Sequence, residues 1–180
     1  LDYRKIQDLE YDANFLAYLQ KPLFADICAR VYGADASVAC FRAMFMNKPA
    51  GHGTYLVWHQ DRWAHLDRDP QITLWTALDP ATMDNGCVFI IPGSHHSLVN
   101  PEHGSGFLTE EQVQKILDEN EPVALELQAG DVVLLHNWLL HSSDINRTAL
   151  ARRAFSVCYM NAETVANNGQ TYPIVFGEGA

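Results

Sequence analysis

Apolar residues at helical spacing dominate the first third of the chain. Asp12 is a residue type that caps helices, and the apolar stripe that follows it consists of Phe15, Leu16 and Leu19. A second stripe lies between Pro22, which suits a first helical turn, and Gly33, which suits a helix end. Its apolar members are Leu23, Phe24, Ile27, Cys28 and Val31. Each stripe forms a single apolar face, which predicts two helices that pack on a sheet.

Short apolar runs separated by turn residues make up most of the remaining chain, and such runs predict strands. The predicted strands cover residues 37–47, 54–59, 71–78, 87–91, 123–127, 131–136 and 152–160. In the long connection 101–120, Thr109 and Gln112 form a capping box that predicts a third helix. The side chains expected to face inward from this helix are Val113, Ile116 and Leu117. Many short strands with helices at one end predict a mainly β fold with flanking helices, the double-stranded β-helix or cupin-like jelly roll.

The composition predicts one folded domain that covers residues 1–180. A chain of 180 residues buries roughly 70% of its unfolded surface, and 48% of these residues are hydrophobic. No apolar run approaches the ~20 residues needed to cross a bilayer, and no charged-then-apolar leader opens the chain. Because the chain starts at Leu1 instead of Met, we expect its native N-terminal segment to be missing.

Charge and cysteine content narrow the setting of the protein. The formal net charge is −10, and no basic cluster exists beyond Arg152-Arg153, which argues against nucleic acid or a membrane surface as a partner. The four cysteines lack the spacing of a metal site or a disulfide framework, and they are Cys28, Cys40, Cys87 and Cys158. We therefore expect buried free thiols and a cytoplasmic location.

A pair of metal-ligand residue types stands at the end of one predicted strand. His59 and Asp61 are two positions apart, so in extended backbone they point to the same side. A histidine from a distant strand would complete two nitrogens and one oxygen around an ion, with the other side open. That arrangement is typical of non-haem Fe(II) oxygenases. His136 ends the predicted strand 131–136 and His141 follows within a few residues, so either could supply the second nitrogen.

The strand that begins at Arg152 has two very different faces. On the Arg152 face the next residues are small, and they are Ala154, Ser156 and Cys158. The opposite face carries Arg153 and then bulky residues, which are Phe155, Val157 and Tyr159. A long cation beside small residues indicates an arginine that reaches into a cavity, where its planar fork suits a carboxylate. A metal together with a carboxylate anchor suggests a 2-oxoacid co-substrate.

Several ordered motifs at matching separations resemble the phytanoyl-CoA dioxygenase family of Fe(II)- and 2-oxoglutarate-dependent oxygenases. The resemblance covers about residues 44–160. The motifs that carry it are Met44-Phe45-Met46-Asn47-Lys48-Pro49, His59-Gln60-Asp61, Trp75-Thr76-Ala77, Asp84-Asn85-Gly86-Cys87, Ile91-Pro92-Gly93-Ser94-His95, Gly130-Asp131 and His141-Ser142-Ser143, with Arg152 at the family's spacing. The resemblance implies a hydroxylase that uses Fe(II), 2-oxoglutarate and dioxygen on a small-molecule or acyl substrate.

The resemblance also implies roles for individual residues. It makes His59, Asp61 and His141 the iron ligands, which favours His141 over His136 as the second histidine. It pairs Arg152 with the far carboxylate of 2-oxoglutarate. The positions implied to line the co-substrate pocket are Met44, Gln60, Trp75 and Ser143. Trp63 and His65 follow the metal pair and are candidates for contact with the substrate, or they merely cover the barrel mouth.

Two other hypotheses remain open from the sequence. A cupin-like module that binds or senses a metal without turnover would keep the histidines but would not need Arg152 to face the metal. A purely structural jelly roll would leave the three proposed ligands separated in space. The sequence does not identify the substrate, because the segments 62–70 and 95–107 carry no pattern that indicates one.

Overall fold

Ten strands and three α-helices form the elements of the computed structural model, which describes residues 4–180. The strands are β1 (Lys5–Ile6), β2 (Val38–Lys48), β3 (Leu56–His59), β4 (Ile72–Ala77), β5 (Val88–Ile90), β6 (Val123–Leu125), β7 (Val132–His136), β8 (His141–Ser143), β9 (Arg152–Asn161) and β10 (Ile174–Phe176). The helices are α1 (Ala13–Leu19), α2 (Pro22–Tyr32) and α3 (Glu110–Glu119). Short 3₁₀ turns occupy Leu9–Tyr11, Met83–Asn85 and Ser94–His96.

The strands pair into two antiparallel sheets. The larger sheet has the order β1-β2-β9-β4-β7, with β10 also paired to β2, and the smaller has the order β3-β8-β5-β6. Strands that are distant in sequence are neighbours in both sheets, as crossing jelly-roll connections require. This architecture confirms the predicted double-stranded β-helix with flanking helices.

The two faces of β9 separate the helix-covered core from the interior between the sheets. Phe155, Val157 and Tyr159 belong to a buried cluster with Leu19 of α1 and residues of α2. Arg152 and Ser156, on the alternate face, line a cavity that both sheets enclose. The predicted difference between the faces is therefore confirmed. Burial of the bulky face under two helices fixes the register of β9, because a slip by one residue would exchange the faces.

The first helix begins at its predicted cap, and the second begins and ends where the sequence predicts. The Asp12 carboxylate accepts the backbone N–H groups of Asn14 and Phe15, at 2.9 and 3.3 Å. The second helix starts at Pro22 and is followed by Gly33. One predicted apolar contact is wrong, because Leu23 is 64% exposed. It lies on the solvent side of α2, whereas Phe24 one position later reaches the core.

The third helix also forms at its predicted capping box. The Thr109 hydroxyl accepts the Gln112 N–H at 3.2 Å, and the Gln112 side chain accepts the Thr109 N–H at 2.9 Å. Val113 and Ile116 pack against a buried cluster of Trp58, Ile91 and Leu140 on the smaller sheet. Leu117, which was expected to face inward, is 37% exposed. The helix packs on the smaller sheet through Val113 and Ile116, and Leu117 lies at the edge of that contact.

Three short strands were not predicted, namely β1, β8 and β10, and each has two or three residues. Runs this short show no alternation long enough to recognise. All four cysteines are free and buried, as expected. Within residues 4–180, no helix is long and apolar enough to span a membrane.

Gly106 closes the loop that joins the smaller sheet to α3, and its substitution tests this closure. Its φ is +68°, and a Cβ atom there would overlap the carbonyl oxygen of Gln60. We expect Gly106→Ala to lower the free energy of unfolding by about 2–4 kcal/mol, because both strain and overlap must be relieved. Gly93→Ala is the control, since φ there is +76° but nothing lies within 4 Å of the added carbon.

Urea unfolding of both variants provides the measurement. In the control, the free energy of unfolding should fall by only about 1–2 kcal/mol, the cost of placing alanine in the left-handed conformation. An equal decrease in the free energy of unfolding of both variants would mean that the close approach of Gly106 to Gln60 does not affect stability.

Candidate metal centre

Two histidines face each other across neighbouring strands of the smaller sheet. His59 ends β3 and pairs directly with His141, the first residue of β8. Their ring centroids are 4.1 Å apart. Asp61 follows β3 by two positions, and its Oδ1 lies 3.7 Å from His59 Nε2. One ligand atom from each of the three residues lies within 4.8 Å of the others, so one ion can contact all three.

Hydrogen bonds to backbone carbonyls fix which ring nitrogen carries the proton in both histidines. His59 Nδ1 lies 2.8 Å from the Val57 carbonyl oxygen, and His141 Nδ1 lies 2.8 Å from the Leu139 carbonyl oxygen. Because a carbonyl oxygen only accepts, each Nδ1 must carry the proton. The lone pair is then on Nε2, the atom that each ring presents to the shared point. Such hydrogen bonds fix the tautomer and orientation of metal-binding histidines.

The charges of the cluster also suit a cation. Burial, and then the neighbouring His141, lowers the pKa of His59 to about 4, so this ring is neutral near pH 7. Burial alone would raise the pKa of Asp61, but the adjacent His141 and His59 lower it below its ordinary value. A neutral imidazole beside an ionised carboxylate is the state that a metal ion requires of its ligands.

The cluster opens into a cavity of about 300 Å³ between the two sheets. Its lining from the larger sheet includes Met44, Trp75, Arg152 and Ser156, and Ser143 contributes from the smaller sheet. Trp63 also lines the cavity. Five of the residues predicted for co-substrate or substrate contact therefore lie around one space with the three candidate ligands: Met44, Trp75, Ser143, Arg152 and Trp63.

Arg152 and Arg153 have opposite environments, as strand alternation predicts. Arg152 is 2% exposed, its guanidinium lies 5.3 Å from the Trp75 ring centroid, and its Nη2 donates to the Gly86 carbonyl at 3.0 Å. Its Nε has no hydrogen-bond partner. Arg153 instead forms a two-pronged pair with the Asp79 carboxylate, with both nitrogen–oxygen distances at 2.7 Å. Burial lowers the pKa of Arg152 to about 10, which still leaves a buried cation at neutral pH.

The turn that holds Arg152 explains one of the sequence motifs. Gly86 adopts φ +80°, and a Cβ atom there would overlap the Asp144 carbonyl oxygen. Only glycine fits this approach without strain. Asn85 fixes the same turn, because its side chain accepts the Thr82 N–H and donates to the Pro80 carbonyl, both at 2.8 Å. The Asn85-Gly86 pair thus places the carbonyl that accepts from Arg152.

Gln60 does not line the cavity, contrary to the expectation. Its side chain is fully buried and lies away from the cavity, where the two N–H groups of its amide are shared among three carbonyls, those of Ser94, Ser97 and Trp138. Its amide oxygen accepts the Val99 N–H at 2.8 Å. Strand alternation gives the physical reason, because neighbours of inward-facing His59 and Asp61 must point outward.

Two further histidines were weighed from the sequence. His65 is not among the described residues that line the cavity, and its Nε2 lies 3.3 Å from the Tyr172 hydroxyl. His136 lines the cavity but does not belong to the three-residue cluster. Its Nδ1 accepts the Trp138 N–H at 3.0 Å, and its ring is half-buried. The structure therefore places His141, and not His136, beside His59 and Asp61.

Arg42 and Lys48 are among the cations of the cavity that sequence reasoning missed. Both lie on β2 at even positions with Met44 and Met46, and all four line the cavity. Lys48 Nζ donates to the carbonyls of Thr54, Ser143 and Asp144. The signal was present, because Met44 had been placed at the pocket and residues two apart share a face.

Solved structures with the same fold come from metal-dependent enzymes. EctD from S. alaskensis, in a crystal structure with 2-oxoglutarate and 5-hydroxyectoine, aligns with a TM-score of 0.75 at 22% identity, over 88% of this chain and 56% of that one. SnoK from nogalamycin biosynthesis, a non-haem α-ketoglutarate-dependent carbocyclase, aligns with a TM-score of 0.76 at 22% identity, over 90% and 65%. These likenesses show that the chain has the double-stranded β-helix fold of such enzymes.

Sequence relatives identify the family. The sequence model of the phytanoyl-CoA dioxygenase (PhyH) family matches residues 2–154. Phytanoyl-CoA dioxygenase 1 of Oryza sativa subsp. japonica is 34% identical over 131 residues, which are 69% of this chain and 46% of the rice protein. The peroxisomal phytanoyl-CoA dioxygenase of Homo sapiens is 25% identical over 169 residues, which are 88% and 49%. The chain spans about half the length of these curated relatives, and it belongs to the phytanoyl-CoA dioxygenase family.

The role of Gln60 as a buried brace can be tested by truncation. Gln60→Ala removes all four of its hydrogen bonds and leaves a cavity, so we expect the free energy of unfolding to fall by about 2–4 kcal/mol. The control is Gln114→Ala on the exposed side of α3, which should change it by less than about 0.5 kcal/mol. Urea unfolding measures both. If Gln60→Ala were as stable as the parent, the hydrogen bonds of Gln60 would not stabilise the fold.

Proposed function

We propose that the chain is an Fe(II)- and 2-oxoglutarate-dependent dioxygenase that hydroxylates an unactivated C–H bond of a small-molecule or acyl substrate. One observation carries the proposal: the His59, Asp61 and His141 cluster shares its cavity with Arg152, a buried arginine to which residues 4–180 offer no acidic partner at ion-pair distance. Family membership supports the same conclusion.

The cluster fits Fe(II) in donor type and in geometry. Two imidazole nitrogens and one carboxylate oxygen, all presented from one side, match the ligand set of non-haem iron oxygenases. Asp61 keeps a side-chain exposure of 25% toward the cavity, so the ion would remain reachable from that space. A structural zinc site would instead surround the ion with four protein ligands.

Arg152 suits the far carboxylate of 2-oxoglutarate. A carboxylate that enters a mostly enclosed cavity loses its hydration and requires a fixed partner. The Arg152 guanidinium offers a planar fork and an unpaired Nε, while Trp75 supports its face. Ser143 and Met44 line the same space and would limit the orientation of the bound keto acid.

When iron, 2-oxoglutarate and dioxygen are bound, this centre would couple decarboxylation of the keto acid to succinate and CO2 with transfer of one oxygen atom into a C–H bond. The residues of the chain supply binding, orientation and exclusion of water. His59 and His141 hold neutral rings in one tautomer, and Asp61 supplies the negative charge. Arg152 and Trp75 fix the direction from which the co-substrate enters.

A cupin-like metal-binding module without turnover is the alternative raised by the sequence. Such a module has no need for a buried arginine in the metal cavity, and the position of Arg152 therefore favours the oxygenase. We further propose that residues 1–180 act as a single oxygenase domain. Its four buried free thiols support a reducing compartment such as the cytoplasm.

The choice between the two histidines gives a direct metal test. His141→Ala should lower Fe(II) affinity by at least tenfold, because it removes one of the nitrogens that share the ion. His136→Ala is the matched control, since it removes an imidazole from the same cavity and should change the affinity little. Anaerobic titration with Fe(II) measures both, with circular dichroism to verify folding. A greater loss in His136→Ala would reverse the assignment.

Arg152 and Arg153 provide the co-substrate test. Arg152→Lys keeps the charge but loses the fork, so we expect 2-oxoglutarate to bind about tenfold or more weakly while Fe(II) binding stays as in the parent. Arg153→Lys, one residue along and exposed, should leave both affinities unchanged. Calorimetric titration of 2-oxoglutarate onto the Mn(II)-loaded protein decides the matter. Parent-like affinity in Arg152→Lys would remove the main support for the oxygenase.

A further inference from the structure

The cavity is rich in positive charge although the chain as a whole carries a formal net charge of −10. Six of the 12 lysine and arginine residues line it, and they are Arg4, Lys5, Arg42, Lys48, Arg62 and Arg152. Among the described lining residues, Asp61 is the only carboxylate. Half of the cationic side chains of this acidic protein therefore surround one cavity, and such a concentration of positive charge favours the binding of anions there.

Three of these cations already have partners or a proposed role. Arg152 is assigned to the co-substrate, and Lys48 Nζ is occupied by three backbone carbonyls. Arg62 donates to the Pro101 carbonyl, and its Nε lies 4.0 Å from the Asp69 carboxylate. Arg4 and Lys5 also line the cavity, but both are exposed residues at the start of the described chain.

Arg42 differs from all of these, because its side chain lines the cavity and no polar group within residues 4–180 pairs with its guanidinium. Its Nε is buried with no hydrogen-bond partner, and no ion pair joins Arg42 to any residue between 4 and 180. Its contacts are the faces of Trp63 and Phe41, whose ring centroids lie 5.4 and 6.0 Å from the guanidinium carbon. Aromatic faces hold a cation in place but leave its N–H groups free to donate.

The fold places Arg42 at the opposite end of the cavity from Arg152. On the paired strands β2 and β9, Lys48 stands beside Arg152, and Arg42 stands beside Cys158. These two pairs are six residues apart, which is about 20 Å along an extended strand. An irregularity in the pairing between Cys40 and Arg42 lets Cys40 face the helix-covered core while Arg42 faces the cavity. Bulges commonly redirect a side chain beside an active site.

A bound dication and Arg152 together carry three positive charges, which Asp61 and a dianionic co-substrate would balance. Arg42 would then remain as a cation of the cavity with no anion assigned to it.

We infer that the substrate carries a carboxylate or phosphate group and that Arg42 binds this group, with Trp63 packed alongside. The inference rests on the proposed function, since it identifies the chemical class on which the oxygenase acts. The reactive C–H bond would then lie between the metal and the anionic group. Within a cavity of about 300 Å³ shared with 2-oxoglutarate, the part of the substrate that enters must be small.

Binding of simple anions to the metal-free protein tests the inference without turnover. The probes are benzoate, phenyl phosphate and the neutral benzamide, with dissociation constants measured by ligand-observed NMR. The variants are Arg42→Gln and Arg42→Lys. The control is Arg68→Gln, which removes an equal charge from an exposed arginine outside the cavity. Circular dichroism and Tm verify that each variant is folded.

We expect at least one of the two anions to bind the parent about tenfold or more tightly than benzamide, and to lose that advantage in Arg42→Gln. Arg42→Lys should keep part of it, and Arg68→Gln and Arg152→Lys should keep all of it. The ratio of the dissociation constants of benzoate and phenyl phosphate identifies which of the two oxyanions binds more tightly. Equal affinity for benzamide, absence of anion binding, unchanged affinity in Arg42→Gln, or dependence on Arg152 would each overturn the inference.

These outcomes are separable from failure of the proposed function. The anion titrations use neither iron nor 2-oxoglutarate, so they remain interpretable if the protein binds neither. Conversely, intact 2-oxoglutarate turnover without anion binding at Arg42 would overturn only the substrate class.

Discussion

The direct pairing of His59 with His141 across β3 and β8 is the interaction on which the proposed chemistry depends. It brings two residues that are far apart in sequence into the same layer of the smaller sheet, with Asp61 alongside. Each ring is then fixed by the carbonyl of the residue two positions earlier in the chain, so the backbone beside the paired strands also sets the tautomer. Ligand position and ligand protonation therefore have one structural origin.

Burial of charge is the second constraint. Arg152 is nearly inaccessible to solvent, and within residues 4–180 its guanidinium has one hydrogen bond to a backbone carbonyl and one aromatic face beside it, but no ion pair. An unpaired buried cation is costly, and it persists where a ligand completes the pairing. Arg153, one residue further, pairs completely with Asp79 on the surface. The contrast within one dipeptide indicates a site prepared for a carboxylate.

The sequence predicts the long elements and the alternation that positions the site, but not its details. Alternation on β9 correctly separates Arg152 from Arg153, and the caps at Asp12 and Thr109 locate their helices. Alternation along His59-Gln60-Asp61, just at the end of β3, would have predicted that the Gln60 side chain points away from the cavity. A role carried over from the family misplaced that side chain, although the physical pattern was available.

Other features could not be predicted from local patterns. β8 has three residues, so its pairing with β3 depends on the closure of the whole sheet. The pairing irregularity between Cys40 and Arg42 turns Cys40 toward the helix-covered core, and it arises from contact between strands more than 100 residues apart. Leu23 and Leu117 match helical spacing but are exposed, because each helix is in contact with the sheet along only part of its apolar face.

The most direct test of the central claim is visible absorption of the anaerobic protein titrated with Fe(II) and then with 2-oxoglutarate. A keto acid that chelates ferrous iron produces a charge-transfer band that neither component gives alone. We predict that the parent develops this band at one equivalent of each and that Asp61→Ala does not. If iron and 2-oxoglutarate both bound the parent without producing the band, they would occupy separate sites, and the proposed oxygenase centre would be wrong.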